Sequence, residues 1–283
     1  MASKLTLDGG IALAASGIGK ETVLAFAEAG ARGVVLADVK IEGIEAAAEE
    51  SRKCGKHANY RALAIKVDIT DPESVQHLVA STVREFGRID YAVNCAGVSF
   101  LNTRRGHWKG ADHVFSEVID TNMAGAVRFV RAAMAAMAQQ EPLTFTGRHG
   151  LRSLGKGSID VLGSTSSLAG IPGMISYTTS KHVVIGLVKS AAVDALALQS
   201  AIRVNAVCPC WVDTPMVQLG IEKNPMLKPV IDNLTPLKRA ASVDEVADYI
   251  IFLSSPYTSF INGIALSIDA GLTLPTPPSL PLS

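Results

Sequence analysis

Residues 9–20 read GGIALAASGIGK. An apolar run, GIAL, leads straight into small residues, the glycines Gly17 and Gly19, and a helix-forming stretch. A strand that turns through glycines into a helix opens a dinucleotide-binding fold. The glycines let the backbone approach a diphosphate, and the helix N-terminus faces it. The turn is short, however: Leu13 stands four residues before Gly17, where a further glycine is expected.

The strand–helix rhythm continues downstream. GVVLAD (33–38), RALAIKV (61–67), IDYAVN (89–94), GSIDVLG (157–163) and IRVNAV (202–207) are short, β-branched and apolar nearly throughout. That is the composition of strands covered on both faces of a parallel sheet. Between them lie helical stretches with readable starts. Asp71 precedes Pro72 as an N-cap, and Ser242-Val-Asp-Glu245 has capping-box spacing. Such alternation predicts right-handed crossovers and an α/β fold, a single Rossmann-type doubly wound parallel sheet flanked by helices. The 283 residues fit one large domain, expected over 1–273. Two segments break the rhythm. QQEPLTFTGRHGLRSLGKG (139–157) is polar, basic and glycine-rich, and reads as an exposed loop insertion at about 139–156. LPTPPSLPLS (274–283) is a proline-rich tail that continues neither helix nor central strand, and is either disordered or draped over a neighbouring subunit.

Composition excludes several classes of function. Lys+Arg and Asp+Glu both total 26, so the formal net charge is +0. That balance argues against a nucleic-acid partner or an anionic membrane surface. The 182–202 stretch is broken by Lys189 and Asp194, so no membrane insertion is expected. MASKLTLDGG lacks the apolar core of a signal peptide, which points to a cytoplasmic protein. Cys54, Cys95, Cys208 and Cys210 show no disulfide or zinc spacing, and Cys208-Pro-Cys210 reads as two small residues after a strand. No His/Cys/Asp/Glu grouping calls for a metal.

The chemistry is carried by SYTTSKH (176–182). Tyr177 and Lys181 are four apart, on one face of a helix. A phenol of pKa about 10 is a poor base near neutrality, and a nearby ammonium lowers it. A tyrosine so tuned takes a proton from an alcohol or returns one to a ketone. Ser164 lies thirteen residues earlier at the end of a strand, where ligands of parallel sheets bind, and can hydrogen-bond the reacting oxygen. Its neighbours Ser166 and Ser167 read as ordinary loop residues. Asn94-Cys-Ala-Gly97 closes another strand at that edge, and Asn122 sits mid-helix, where asparagine is a poor helix former.

Together these residues resemble the short-chain dehydrogenase/reductase family, over about residues 5–272. The resemblance implies that Tyr177 is the general acid/base and that Lys181 tunes it and holds the nicotinamide ribose. It implies that Ser164 positions the reacting oxygen and that Asn122 supports a water-linked proton relay. It also implies a cofactor site at Ser16, Gly17, Ile18, Gly19, Asp38, Asp68, Asn94, Ala96, Gly97, Tyr177, Lys181, Pro209, Val212 and Thr214, with no metal. Asp38, at the end of its strand about twenty positions beyond the glycines, suits a ribose 2′-hydroxyl and would repel a 2′-phosphate. Ser16 stands where NADP-preferring members carry a basic residue. Both favour NAD over NADP. NAVCPCWVDTP (205–215) matches the family's N-x-x-x-P-G-x-x-x-T with Cys210 for glycine, which puts Thr214 near the nicotinamide carboxamide. The apolar segment at about 215–240 corresponds to the substrate lid. It suits a hydrophobic small-molecule alcohol or ketone, such as one met in secondary metabolism, although these residues could equally pack on the core. Family members commonly form homodimers or homotetramers through helices at 111–138 and 176–200, where AAMAAMA and AAVDALAL permit close approach.

Against the family pattern T-G-x-x-x-G-I-G, the opening stretch lacks three residues, matching Val-Thr-Gly. Three extended residues span about 10 Å. Either the chain slides forward and Asp8, Gly9 and Gly10 enter a buried strand, or the strand shortens and the loop tightens. Weakened NAD binding and a less stable first strand are expected, which leaves a catalytically impaired protein of the same fold as the rival reading. Asp160 falls inside a buried strand, where it needs a partner or carries a cost. Asp269-Ala270-Gly271 stands for the family's Asp-Gly-Gly, with little effect expected.

Overall fold

The computed structural model describes residues 7, 9–15, 18–99 and 112–274. Its strands, in chain order, are β1 (Ile11–Ala15), β2 (Gly33–Asp38), β3 (Arg61–Lys66), β4 (Tyr91–Asn94), β5 (Leu143–Gly147), β6 (Gly150–Gly155), β7 (Gly157–Leu162), β8 (Ile202–Pro209) and β9 (Ala265–Ile268). The helices are α1 (Gly19–Glu28), α2 (Ile41–Cys54), α3 (Pro72–Phe86), α4 (Asp112–Ile119), α5 (Ala126–Ala138), α6 (Ile175–Ala197), α7 (Pro215–Lys223), α8 (Leu227–Leu234) and α9 (Val243–Ser254). Seven strands form one sheet in the order β3-β2-β1-β4-β7-β8-β9, and every pairing within it is parallel. The chain winds outward from β1 in one direction and from β4 in the other. The crevice between β1 and β4 is therefore the switch point where such sheets bind ligands.

Both faces of the sheet are covered, as the apolar strands require. Ile11, Leu13, Val35, Val204 and Ala206 pack with Phe129 and Met137 of α5 and Val184 and Val188 of α6. Ala12, Ala14, Val34 and Val93 pack on the other face with Phe26 of α1 and Val246 and Ile250 of α9. The helix starts anticipated from sequence are present. Asp71 accepts from the Glu73 amide at 3.0 Å, and Ser242 and Glu245 cap each other.

The short opening stretch is accommodated in one particular way. β1 keeps five residues, paired with β2 from Ile11 to Ala15 and with β4 from Ala12 to Ala15. Gly9 and Gly10 stay outside it, at its foot. A side chain on Gly10 would collide with the Tyr91 ring, at 2.3 Å, and the Gly10 carbonyl accepts from Arg32 N at 2.9 Å. The first strand amide, Ile11 N, donates to the buried Asp90 carboxylate at 2.9 Å. With its foot held there, the strand extends through Ala14 and Ala15, which the pattern assigns to the loop. The shortening expected of the strand falls instead on the connection to α1, three residues long.

Four other expectations are corrected. The 139–156 insertion is a β-hairpin rather than a loop: β5 and β6 pair antiparallel about the turn at Arg148-His149. Alternation in Leu-Thr-Phe-Thr is masked in the sequence by its glycines and basic residues. The hairpin is docked, since Phe145 meets Tyr257 edge-on at 6.1 Å and Arg152 donates to the Pro256 carbonyl at 2.8 Å. β8 runs two residues past 207, so Cys208 lies inside the strand and only Cys210 follows it. β9 adds a strand with no clear sequence signal, because it is a four-residue edge strand of mixed polarity. Ala270, expected to matter little, adopts φ +53°, a left-handed conformation that strains any residue with a Cβ. The expected tail lies, beyond Leu274, outside the described residues.

Asp160 does find a partner, but an incomplete one. It is buried on the α9 side of β7, and one carboxylate oxygen accepts from Ser254 Oγ at 3.0 Å. The other has no hydrogen-bond partner. Burial pushes its pKa up to about 7, opposed by the Arg203 guanidinium. Among the described residues no helix is long and apolar enough to cross a membrane.

Candidate active site

The chain between β7 and α6 builds one half of the site. β7 ends at Leu162, and the short helix Thr165–Ser167 begins with Ser164 as its cap. Ser164 Oγ accepts from the Ser166 amide at 3.1 Å, while the Ser164 amide donates to Ser167 Oγ at 3.1 Å. The two neighbouring serines thus hold the loop, and Ser164 Oγ also reaches the Tyr177 hydroxyl, drawing that phenol down. Tyr177 and Lys181 lie one turn apart near the start of α6, with Lys181 Nζ 5.7 Å from the Tyr177 ring centroid.

Their titration differs from the sequence expectation. Close packing pushes the Tyr177 phenol above its ordinary range, and it is Ser164, rather than Lys181, that lowers it. Lys181 is buried, and its Nζ donates to the Leu162 carbonyl at 2.7 Å. Burial brings its ammonium down to about 8. Lys181 thus holds its proton less firmly than an exposed lysine would.

Asn122 lies in a π-helical turn, Asp120–Gly125, between α4 and α5. Such one-turn bulges free backbone groups from the regular ladder. Its side chain is fully engaged. Oδ1 accepts from the Val98 amide at 2.8 Å, and Nδ2 donates to the Val98 carbonyl at 2.9 Å and to Ser180 Oγ at 3.1 Å. Gly97, just before Val98, packs closely against the same cluster, and a side chain there would fit only tightly. A Cβ there would stand 3.3 Å from Asn122 Oδ1 and 3.6 Å from Lys181 Nζ.

Gly97 joins this cluster to a cleft of about 180 Å³ lined by Asp38, Val39, Asp68, Ile69, Thr70, Ala96, Gly97, Val98 and Thr121 among others. Asp38 ends β2, and its Oδ1 accepts from Lys40 N at 2.9 Å. Asp68 Oδ1 accepts from the Thr70 hydroxyl at 2.7 Å and amide at 2.8 Å, which holds the carboxyl below its usual range. Asn94 ends β4, its Oδ1 accepting from the Ala96 amide at 3.1 Å. Ile18 and Gly19 begin α1, with Gly19 against Cys95 and Ala14. Ser16 and Gly17 lie outside the described residues.

Pro209, Val212 and Thr214 follow one another at the carboxyl end of β8. Val212 is buried and bridges to Ala241, while Thr214 Oγ1 caps α7 by accepting from Val217 N at 3.4 Å. Three participants were not singled out from sequence. Ser180 was adjacent to Lys181 in the quoted motif; Val98 and the Leu162 carbonyl act through backbone atoms, which leave no residue-type signal. Cys208 also borders the site, with its buried thiol against the Ser164 amide and Ser167 hydroxyl. Among the described residues no three His, Cys, Asp or Glu side chains are placed to hold a metal.

The fold and these residues define a Rossmann-type α/β protein with a serine, tyrosine and lysine gathered at the carboxyl edge of its sheet. A family model described as enoyl-(acyl carrier protein) reductase matches residues 12–273. The chain is 39% identical over 261 residues to the short-chain dehydrogenase anuF of Penicillium roqueforti, covering 92% of this chain and 94% of that one. It is 40% identical over 262 residues to the short-chain dehydrogenase srdC of Neurospora crassa, covering 93% and 95%. The crystal structure of gox2181 superposes with a TM-score of 0.82 at 31% identity, covering 95% of this chain and 98% of that one. The chain belongs to the short-chain dehydrogenase/reductase family of oxidoreductases.

Proposed function

We propose that this protein transfers a hydride between NAD(H) and a secondary alcohol or ketone of a hydrophobic small molecule. The observation that carries the reading is the grouping of Ser164, Tyr177 and Lys181 with Asn122, a cluster that reaches Gly97 through Asn122 and Lys181; Gly97 also walls the cleft holding Asp38 and Asp68. That cleft fits a nicotinamide dinucleotide chemically. Asp38 would take the hydroxyls of a ribose, Asp68, Ala96 and Gly97 would border the adenosine half, and Ile18 and Gly19 would present the α1 N-terminus to the diphosphate. Bound there, NAD(H) supplies or accepts the hydride. Ser164 hydrogen-bonds the substrate oxygen. Tyr177 gives its phenolic proton to that oxygen in reduction or takes it in oxidation. Lys181, brought down to about 8, is the group beside it that restores the proton. The Asp38 carboxylate opposes a 2′-phosphate, so NADP is the weaker ligand.

An apolar substrate is supported by the lid. α7 buries none of its residues and exposes Met216 and Leu219, while α8 buries Leu227 and Ile231 and leaves Met226, Val230 and Leu234 outward. Leu168 and Ile175, between Ser164 and Tyr177 in the chain, are exposed as well. A role in tailoring secondary metabolites accords with this surface. α6 turns Val193 and Leu196 outward, which supports a homodimer or homotetramer that covers them.

Titration of the full chain with NADH and NADPH, followed by a screen of apolar ketones, tests the reading. The chain is expected to bind NADH more tightly than NADPH. Tyr177→Phe should keep NADH binding and lose turnover roughly a hundred- to ten-thousandfold. A folded chain that binds neither nucleotide overturns the enzyme reading. It would favour instead an impaired member of the fold, for which the short turn is the supporting observation.

A further inference from the structure

Ser180 lies directly before Lys181 on α6, and none of its surface reaches solvent. Its hydroxyl donates to the Tyr177 carbonyl at 2.7 Å. With its single proton so engaged, the same oxygen accepts from Asn122 Nδ2 at 3.1 Å. The two bonds to Val98 fix which way the Asn122 amide faces, and the bond to Ser180 ties that amide to α6. Nδ2 is directed to Ser180 and the Val98 carbonyl, and Oδ1 is left for the Val98 amide. Val98 belongs to the wall of the cleft that contains Asp38 and Asp68. One buried hydroxyl therefore connects the turn that carries the phenol to the wall of the cofactor cleft, across three separate segments of chain.

We propose that Ser180 is a positioning residue that sets Tyr177 and Val98 in register with one another through the Asn122 amide. Without the hydroxyl, Asn122 Nδ2 loses one of its two acceptors in a place where water does not reach, and the amide is no longer tied to α6. Asn122 keeps its clamp on Val98, but the clamp and the cleft wall it carries are free to shift relative to Tyr177. On the other side, the α6 turn loses the bond that holds the Tyr177 carbonyl, and the phenol shifts relative to Ser164. The catalytic consequence rests on the oxidoreductase reading above; the placement of Tyr177 does not.

The test uses the full chain as wild type, Ser180→Ala, Ser180→Cys and Tyr177→Phe. Tyrosine labelled with carbon-13 at Cζ is observed by NMR near neutral pH, and the resonance absent from Tyr177→Phe is that of Tyr177. Cysteine fills the space of serine with a poor hydrogen-bonding group, so it separates the lost bond from lost volume and serves if Ser180→Ala does not fold. In either variant the Tyr177 resonance should move while the other tyrosines stay. The dissociation constant for NADH should rise roughly three- to tenfold. A lower melting temperature with an unmoved Tyr177 resonance and unchanged NADH affinity would make Ser180 a packing residue only, and the proposal would fall. If the wild type itself binds no NADH, the oxidoreductase reading fails, and the Tyr177 resonance alone decides the role of Ser180.

Discussion

Replacing Asp160 by asparagine isolates the electrostatic cost of one buried group. Asp160 has an ordinary carboxyl pKa of 3.8 when unfolded and one of about 7 when folded. A tenfold change in proton affinity is worth about 1.4 kcal/mol, so a change of roughly three powers of ten amounts to about 4 kcal/mol. The sign follows from the direction. A carboxyl whose folded pKa is raised favours the folded state while it is protonated. That contribution is fully present below 3.8 and is lost as pH rises through about 7. The surroundings give the cause: Ser254 satisfies one oxygen, the second has no donor, and Arg203 spends two nitrogens on the Ile261 and Leu253 carbonyls. Tyr91, Ser158 and Asn205 share that face of the sheet and carry no compensating positive charge. An asparagine in its place would keep the acceptor for Ser254 but could not ionise. The assay is denaturant unfolding of wild type and Asp160→Asn between about pH 5 and 8. Titrations common to both cancel, and the stability of the wild type relative to the variant should fall by about 1.4 kcal/mol per pH unit from about pH 5 and level off above about 7. Parallel curves would refute the reasoning and show that Asp160 is ionised throughout.

Ala270→Gly relieves the left-handed backbone after Asp269 and should raise stability by about 1 kcal/mol, read from thermal melting; no gain would mean the turn is unstrained. Inserting Val-Thr-Gly after Leu13 restores the family's turn length and should tighten NADH binding roughly ten- to a hundredfold by calorimetry. Equal affinity in both chains would show that the short connection is tolerated. Asp38→Asn removes the charge opposed to a 2′-phosphate and weakens the bonds to the ribose hydroxyls, so the preference for NADH over NADPH should fall roughly tenfold or more; an unchanged preference would place Asp38 in a packing role.

What the sequence made legible was whatever repeats with a period or sits in a spaced motif. The buried strands showed themselves as apolar runs, and the cap at Asp71 and the box at Ser242 marked their helices. Ser164, Tyr177 and Lys181 were readable because their side-chain types are unusual for their places. The hairpin at 143–155 was not, since its alternation is only a few residues long and its glycines read as loop. The Lys181 bond to the Leu162 carbonyl and the Asn122 clamp on Val98 were beyond reach for a different reason: their partners are main-chain atoms, which every residue has. Ala270 looked harmless because a change from glycine to alanine is costly only where φ is positive, and φ is a property of the folded turn.

The anchoring of β1 has a consequence for how this lineage can vary. Gly10 against Tyr91 and Asp90 on the Ile11 amide set the zero of a ruler at the amino edge of the sheet. Because β1 keeps its pairing with β2 and β4 from that mark to Ala15, the missing length is taken at the far end, between Ala15 and α1. A shortening taken at that end spares the register of the strand and the core it fills, so a change of length here need not put the architecture at risk.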